Sequence, residues 1–379
     1  MNGARPLHVV HMLYRFAAGG MENVLVQLIN HLPRDHYRHT VVALTEADAG
    51  FAARIERDDV EVIALHKPPG QAFALYPTVF RLFRRLKPDV LHSCNLAALE
   101  FAPVAAMAGV PHRVHAEHGW DVGDPDGSNR RYRFLRRLYR PFVNHFVAVS
   151  VQLRDYLRDH IGVAARRLHL IPNGVDTACF RPRRKGEAPP QGYPFSHDEH
   201  WVIGTVGRLE PIKNQMLLAE AFVRLVERLG PAGAPLRLAI IGEGPLAVPV
   251  RRRLEEAGLG DRLWLPGTRN DIPEVLRAID CFVLPSLAEG TSCTLQEAMA
   301  TSIPIIATDV GGNRQLLGEG AYGVLVPSGD PERLSNILAG MFARRAEASP
   351  VPAAARQCVE REYAVEVVMQ RYRTLFEER

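Results

Sequence analysis

The sequence predicts an α/β protein built from two doubly wound parallel sheets, one in each half of the chain. Short apolar, β-rich runs alternate with helical patterns along almost the whole length, and these runs fall into two groups. The stretch between the groups, "RPRRKGEAPPQGYPFSHDEH", is rich in proline and charge and follows neither period. A chain of 379 residues also exceeds what one core comfortably organises.

The runs of the first half are "LHVVHML", "HTVVALT", "VEVIAL", "PDVLHS", "HRVHAEH" and "HFVAVS". Those of the second are "WVIGTVG", "LRLAIIG", "RLWLPG", "CFVLPS", "IPIIAT" and "YGVLVP". Each is strand-length, and the intervals carry helical periodicity, the signature of βαβ units. The expected layout is a Rossmann-like domain over 1–180, a linker over 181–200 and a second Rossmann-like domain over 201–357. A last helical segment over 358–379 follows the break "PVPAAA" and is free to pack back on the first domain.

Composition excludes several classes. No apolar stretch approaches the ~18 residues needed to cross a bilayer, and "MNGARPLHVVHML" lacks a signal-peptide cleavage pattern. A cytoplasmic protein is expected, peripheral at most to the inner face of the membrane. The five cysteines are odd in number, scattered and without a CxxC pair, which argues against both a disulfide framework and a zinc site. A net charge of +4 with acidic residues interspersed throughout gives no case for nucleic acid.

Ligands of open α/β sheets bind beyond the carboxyl ends of the strands, so the strand ends are where chemistry is sought. After the first run, Gly19 and Gly20 precede an amphipathic helix with Glu22 in its first turn, which suits an anion and equally suits a plain turn. After "WVIGTVG", Gly207 and Arg208 are followed by Lys213, and two such cations can converge on one anion or simply be solvated. "IIGEGPLA" formally satisfies G-x-G-x-x-A through Gly242, Gly244 and Ala247. No acid ends the following run to hold a ribose, so a nicotinamide site loses ground.

The stretch "AEGTSCTLQEAMA" carries the strongest signal. A helix entered at about Ser292 to Thr294 presents free N–H groups and its dipole to a diphosphate. Gly290, Thr291, Ser292, Cys293 and Thr294 are small enough to let it approach. Glu297 can then accept from ribose hydroxyls and Glu289 from those of a second polar ring. The plainer reading is a capped helix with an acid in its first turn.

With "NGVD", "GRL" plus Lys213, "IGEGP", "GTRNDIP" and the Glu289/Glu297 pair in E-x7-E order, the chain resembles the retaining glycosyltransferases of glycosyltransferase family 4 over nearly its whole length. "HKPPGQ", "CNLAALE", "EHGWDVGDPDGSNRRYRFLRRLYRP" and "EGTSCTLQEAMA" further resemble the branch associated with exosortase/PEP-CTERM exopolysaccharide systems. The resemblance implies the GT-B architecture, two Rossmann-like domains facing a cleft, with the donor on the C-terminal domain and the acceptor mainly on the N-terminal one. It implies that Arg208 and Lys213 neutralise the leaving diphosphate, Glu297 holds the ribose, Glu289 the donor sugar, and Arg269 lines the base. It also assigns His118 to the donor sugar. His112 and His115 share the motif "HRVHAEHGW", but strand alternation sends His115 to the other face, against a metal reading. Where the family often has Gly-Phe-Gly after the first glutamate, this chain has Gly290, Thr291 and Ser292.

The implied activity is metal-independent, retaining transfer from a nucleoside-diphosphate sugar, a UDP-sugar ahead of a GDP-sugar, with no further cofactor. The acceptor is a glycan or a polyprenyl-diphosphate-linked glycan. No nucleophile is required, and Cys293 is taken to serve by its size. Rival readings are a non-catalytic nucleotide-sugar-binding subunit of a polysaccharide assembly complex and a sugar-nucleotide epimerase or hydrolase. Asp124 to Asp126, "DPD", read as a turn or acceptor loop. Finally, "NRRYRFLRRLYRPF" gathers Tyr132, Phe134, Leu135, Leu138, Tyr139 and Phe142 on one helical arc. Arg130, Arg133, Arg136, Arg137 and Arg140 lie opposite, with Arg131 breaking the pattern. Such a helix either packs by its aromatic arc and solvates its arginines, or meets an anionic membrane or a polyprenyl diphosphate.

Overall fold

A computed structural model describes residues 5–70, 72–121, 123–124 and 127–378. The chain folds into two units, one comprising 1–174 and 365–379 and the other 175–364. Every one of the predicted runs becomes a strand. In unit 1 these are β1 (Leu7–Leu13), β2 (Tyr37–Ala43), β3 (Glu61–Ala64), β4 (Val90–Cys94), β5 (His112–Glu117) and β6 (His145–Ala148). A further strand, β7 (Leu168–Leu170), escapes the sequence reading because it is three half-buried residues at the sheet edge. The strands pair in parallel in the order β3-β2-β1-β4-β5-β6-β7.

Unit 2 contains β8 (Trp201–Val206), β9 (Leu236–Ile241), β10 (Leu263–Gly267), β11 (Cys281–Leu284), β12 (Ile305–Thr308) and β13 (Val324–Val326). Its parallel order is β10-β9-β8-β11-β12-β13. Strands such as β11 and β12 are buried at every position, because helices cover both faces of a parallel sheet.

The unit boundaries differ from those expected. Residues 181–200 form no helix or strand, yet they belong to unit 2. Phe180, Tyr193 and Phe195 pack into its core, the Tyr193 hydroxyl donates to the Ala278 carbonyl at 2.5 Å, and Glu187 pairs with Arg277 at 2.7 Å. Aromatics spaced irregularly through a polar segment leave no periodic trace. The terminal segment is likewise two helices rather than one. Val351–Glu362 packs Ala355 and Val359 into unit 2, and Val365–Glu377 packs Val368, Tyr372 and Phe376 into unit 1.

Candidate active site

In unit 2 the strand order reverses between β8 and β11, the switch point at which open α/β sheets hold ligands. Both chain segments leaving that point carry candidate residues. Glu289, only 8% exposed, accepts at Oε1 from the Lys213 ammonium at 2.6 Å and from the Ser286 hydroxyl at 2.6 Å. Its other carboxylate oxygen has no hydrogen-bond partner among the described residues. Lys213 ends the turn Pro211–Lys213 that leads into helix Gln215–Leu229. It is therefore already paired with a carboxylate. Arg208 differs. Its carbonyl accepts from the buried Gln215 amide at 2.9 Å, while its exposed guanidinium engages no partner among the described residues.

Helix Cys293–Ala300 begins where the small residues predict. Ser292 is its N-cap, accepting from the Leu295 N–H at 3.3 Å, with the Thr294 hydroxyl 3.1 Å away. Capping alone does not account for the pattern, since Leu295 occupies the position a capping-box acid would take and no acid lies in the first turn. Glu297 stands in the second turn, half-buried. Gly290, Thr291 and Cys293 complete the entry into the helix.

Gly242 also carries a packing role that its place in the sequence does not show. A Cβ there would lie 2.0 Å from the Gly207 carbonyl oxygen, at φ +132°, so this glycine lets the β9 turn lie against the β8 turn that carries Arg208. The Leu209 N–H donates to the Glu243 carbonyl at 2.8 Å across the same contact. Arg269, beyond β10, is bidentate to Asp271 at 2.7 and 2.6 Å and lies over the Trp264 ring. A cavity of about 890 Å³ in unit 2 opens at the amino ends of the strands instead, near Trp201, Pro304 and Pro350. It holds none of the candidate residues and lies at the wrong end of the sheet for a switch-point ligand.

In unit 1, Gly19 caps helix Gly20–His31 in an extended conformation, and the Glu22 carboxylate turns back over it. His118 follows β5. Its backbone N–H donates to Asn95 Oδ1 at 2.8 Å, and both ring nitrogens are buried without a hydrogen bond. Burial pushes the imidazole down to about 4, against the influence of Asn173 and Glu117. His115 does face the other side, where its ring contacts Ser93 Oγ at 2.9 Å and Glu117 at 3.2 Å. Asp124 accepts from the Asn129 N–H at 2.8 Å, as a turn residue does, while Pro125 and Asp126 lie outside the described residues.

The profile described as "Glycosyltransferase Family 4" matches residues 18–178, and that of "Glycosyl transferases group 1" matches 200–343. The UDP-Gal:alpha-D-GlcNAc-diphosphoundecaprenol alpha-1,3-galactosyltransferase of Escherichia coli is 30% identical over 267 residues, 69% of this chain and 68% of that one. The chain belongs to glycosyltransferase family 4. Another member, a GDP-mannose-dependent alpha-mannosyltransferase of Mycobacterium tuberculosis, is 29% identical over 86% of this chain and 85% of its own. The fold of this glycosyltransferase is that of GT-B enzymes. Anabaena HepE, solved in complex with UDP and glucose, superposes with a TM-score of 0.79 at 20% identity, over 97% of this chain and 98% of that one.

Sequence reasoning missed several residues that shape this glycosyltransferase's site. Gly311 and Gly312, after β12, press against the loop that carries Glu289. A Cβ at Gly311 would lie 1.8 Å from the Glu289 carbonyl oxygen, and the Gly312 N–H donates to the Gly290 carbonyl at 3.1 Å. The "GG" dipeptide was the available signal. Ser286 and Gln215 carried none, because each acts through a neighbour distant in sequence.

The basic helix keeps its expected faces in part, with Tyr132, Leu135 and Tyr139 packed on the core and Arg130 and Arg137 exposed, but departs from them at Arg136 and at Phe134, Leu138 and Phe142. Helix Arg130–Tyr139 buries Arg136, which is bidentate to Glu117 at 2.6 and 3.1 Å and bonds Asp121 at 2.7 Å. Phe134, Leu138 and Phe142 are exposed, at i, i+4 and i+8, together with Arg130, Arg131 and Arg137. A buried carboxylate at the end of β5 outweighs the burial of a few more aromatics, because leaving Glu117 unpaired would cost several kcal/mol, about 3–5 for one partner removed.

Proposed function

We propose that this glycosyltransferase moves a sugar from a nucleoside-diphosphate donor, a UDP-sugar ahead of a GDP-sugar, with retention of anomeric configuration. Its acceptor is a glycan or polyprenyl-diphosphate-linked glycan in exopolysaccharide synthesis. The observation that carries the donor reading is the set Arg208, Lys213 and Glu289 at the switch point of unit 2, beside the Ser292-capped helix. Breaking the sugar–phosphate bond builds negative charge on the diphosphate, and preorganised cations lower that barrier. Arg208 offers its free fork to the phosphates. Lys213 shares its proton-bearing nitrogen between Glu289 and the same oxygens. The unused Glu289 oxygen accepts a hydroxyl of the donor sugar, and Glu297 accepts from the ribose. Because the leaving group is neutralised by side chains, no metal or other cofactor is invoked. His118 serves the donor sugar as a neutral imidazole.

The E. coli relative, named for a lipid-diphosphate acceptor and UDP-Gal, supports the acceptor class and the uridine base. The mycobacterial relative, named for GDP-mannose, makes the base the first quantity to measure. The exposed stripe Phe134, Leu138 and Phe142, flanked by arginines, supports resting on an anionic membrane that presents such an acceptor. No helix among the described residues is long and apolar enough to cross a membrane.

The test incubates the protein with UDP-glucose, UDP-galactose or GDP-mannose and a synthetic polyprenyl-diphosphate GlcNAc, with and without EDTA. Acceptor-dependent release of one nucleoside diphosphate, an α-linked product from an α-donor, and insensitivity to EDTA are expected. Sugar release or epimerisation without acceptor would replace transfer by hydrolysis or epimerisation. Donor binding without any turnover would favour the non-catalytic subunit.

A further inference from the structure

We infer that unit 1 carries a buried soft-metal site formed by His92, Cys94 and His118, which takes Zn²⁺ or a similar thiolate-preferring divalent cation. The ligand atoms of these three side chains lie within 4.8 Å of one another. The register that pairs His92 with Val114 and Cys94 with Ala116 explains the convergence. It puts the β4 residues on the same face as β5 residues of even number, a face that His118 continues past the strand end. Three residues separated by up to 26 positions thus meet, which no spacing motif reports.

Several nitrogens of this group lack a close hydrogen-bond partner among the described residues. His92 Nε2 and both ring nitrogens of His118 are buried with no hydrogen bond, although a buried polar atom left unmade costs about 1–3 kcal/mol. Two imidazoles and one thiol are also the donor set that suits zinc, whose sites mix nitrogen and sulfur. A fourth position is left for water or an incoming group.

Behind the site stands an outer shell. His92 Nδ1 lies 3.0 Å from His11 Nδ1, and His11 Nε2 lies 2.9 Å from His39 Nδ1. The chain has two tautomeric settings. In one, His92 Nδ1 donates to His11 and His11 Nε2 donates to His39, which leaves His92 Nε2 as a bare lone pair pointing at the site. In the other, the donors run the opposite way and His92 Nε2 carries a proton. A metal selects the first setting, and the donated Nδ1–H then orients the His92 ring, as outer-shell partners of metal-bound histidines do. On binding, the Cys94 S–H bond breaks, sulfur keeps the electron pair as thiolate, and the proton leaves to solvent.

The probe is Co²⁺ added to the reduced full-length protein with Cys179, the exposed thiol, changed to Ser. The expected result is stoichiometric binding with an intense thiolate-to-cobalt charge-transfer band and the visible bands of a tetrahedral ion, displaced by Zn²⁺. Cys94→Ser should abolish the charge-transfer band, and His92→Gln should weaken cobalt binding by at least about tenfold, in the range seen when metal-site partners are removed. Absence of the band in the folded Cys179→Ser protein, or its persistence in Cys94→Ser, overturns the inference. The readout is independent of glycosyl transfer, so failure of the proposed activity leaves it standing.

Discussion

Arg208 keeps its backbone under the Gln215 amide and its guanidinium in solvent, so its side chain can be removed without disturbing packing. Arg208→Ala should lower kcat by about 10²–10³-fold, the loss typical of one donor aimed at developing charge. Its thermal midpoint should match wild type. Steady-state kinetics beside a melt checks this, and unchanged kcat would remove Arg208 from the leaving-group site. Gly311 differs, because its importance lies in what it makes room for. Gly311→Ala places a Cβ 1.8 Å from the Glu289 carbonyl oxygen at φ +55°. It should cost about 1–3 kcal/mol in urea unfolding, the usual strain at such a position, and lower kcat as the Glu289 loop retreats. The charged members of this site were legible in the sequence because Arg, Lys and Glu at strand ends have few structural reasons to be there. The glycines that hold them were not, since their role is fixed by a backbone tens of residues away.

Among the elements, helix Arg130–Tyr139 shows best how a local pattern can be outvoted. Its periodicity groups the aromatics on one arc, yet tertiary pairing turns Arg136 inward to Glu117. Burial alone would raise the Glu117 carboxyl, but Arg136, with His115, holds it down to about 2. Arg136→Met should therefore destabilise unit 1 by about 3–5 kcal/mol, the cost of an uncompensated buried charge, measurable by urea titration. The outward stripe makes an opposite prediction. Phe134→Glu with Leu138→Glu should leave stability within about 0.5 kcal/mol, as exposed substitutions do, and abolish sedimentation with anionic vesicles at low salt. Retained sedimentation would detach this helix from any membrane role. Helix Cys293–Ala300, by contrast, began where its residues said it would. Ser292 is a local cap, and local hydrogen bonds survive translation from sequence to structure.

For the molecule as a whole, the buried histidines set an acid limit on stability. Burial holds His11 and His92 well below the usual histidine value of 6.5, His39 at about 3 and His118 at about 4. The unfolded chain protonates near 6.5 while the folded chain does not, so between 6.5 and these lower values the unfolded state binds more protons. Stability then falls as pH falls, by about 1.4 kcal/mol per pH unit for each such histidine. Glu117 acts in a separate window, stabilising above about 4.5 and losing that contribution toward 2. Urea midpoints at pH 7 and pH 5 should differ markedly for unit 1, and less so in His39→Gln. Equal midpoints would show that the row is protonated or solvated in the folded state.

Sequence alone determined the two parallel sheets, the strands long enough to bury, and the switch-point charges, because hydrophobic period and strand-end chemistry are local properties of the chain. Only tertiary structure decided the rest. It placed β7, divided the C-terminal segment between the units, drew residues 181–200 into unit 2, turned Arg136 of the basic helix inward and Phe134 and Leu138 outward, and assembled His92, Cys94 and His118. Each of these depends on a partner remote in sequence, and strand register or a single buried charge outweighs any preference written into the neighbouring residues.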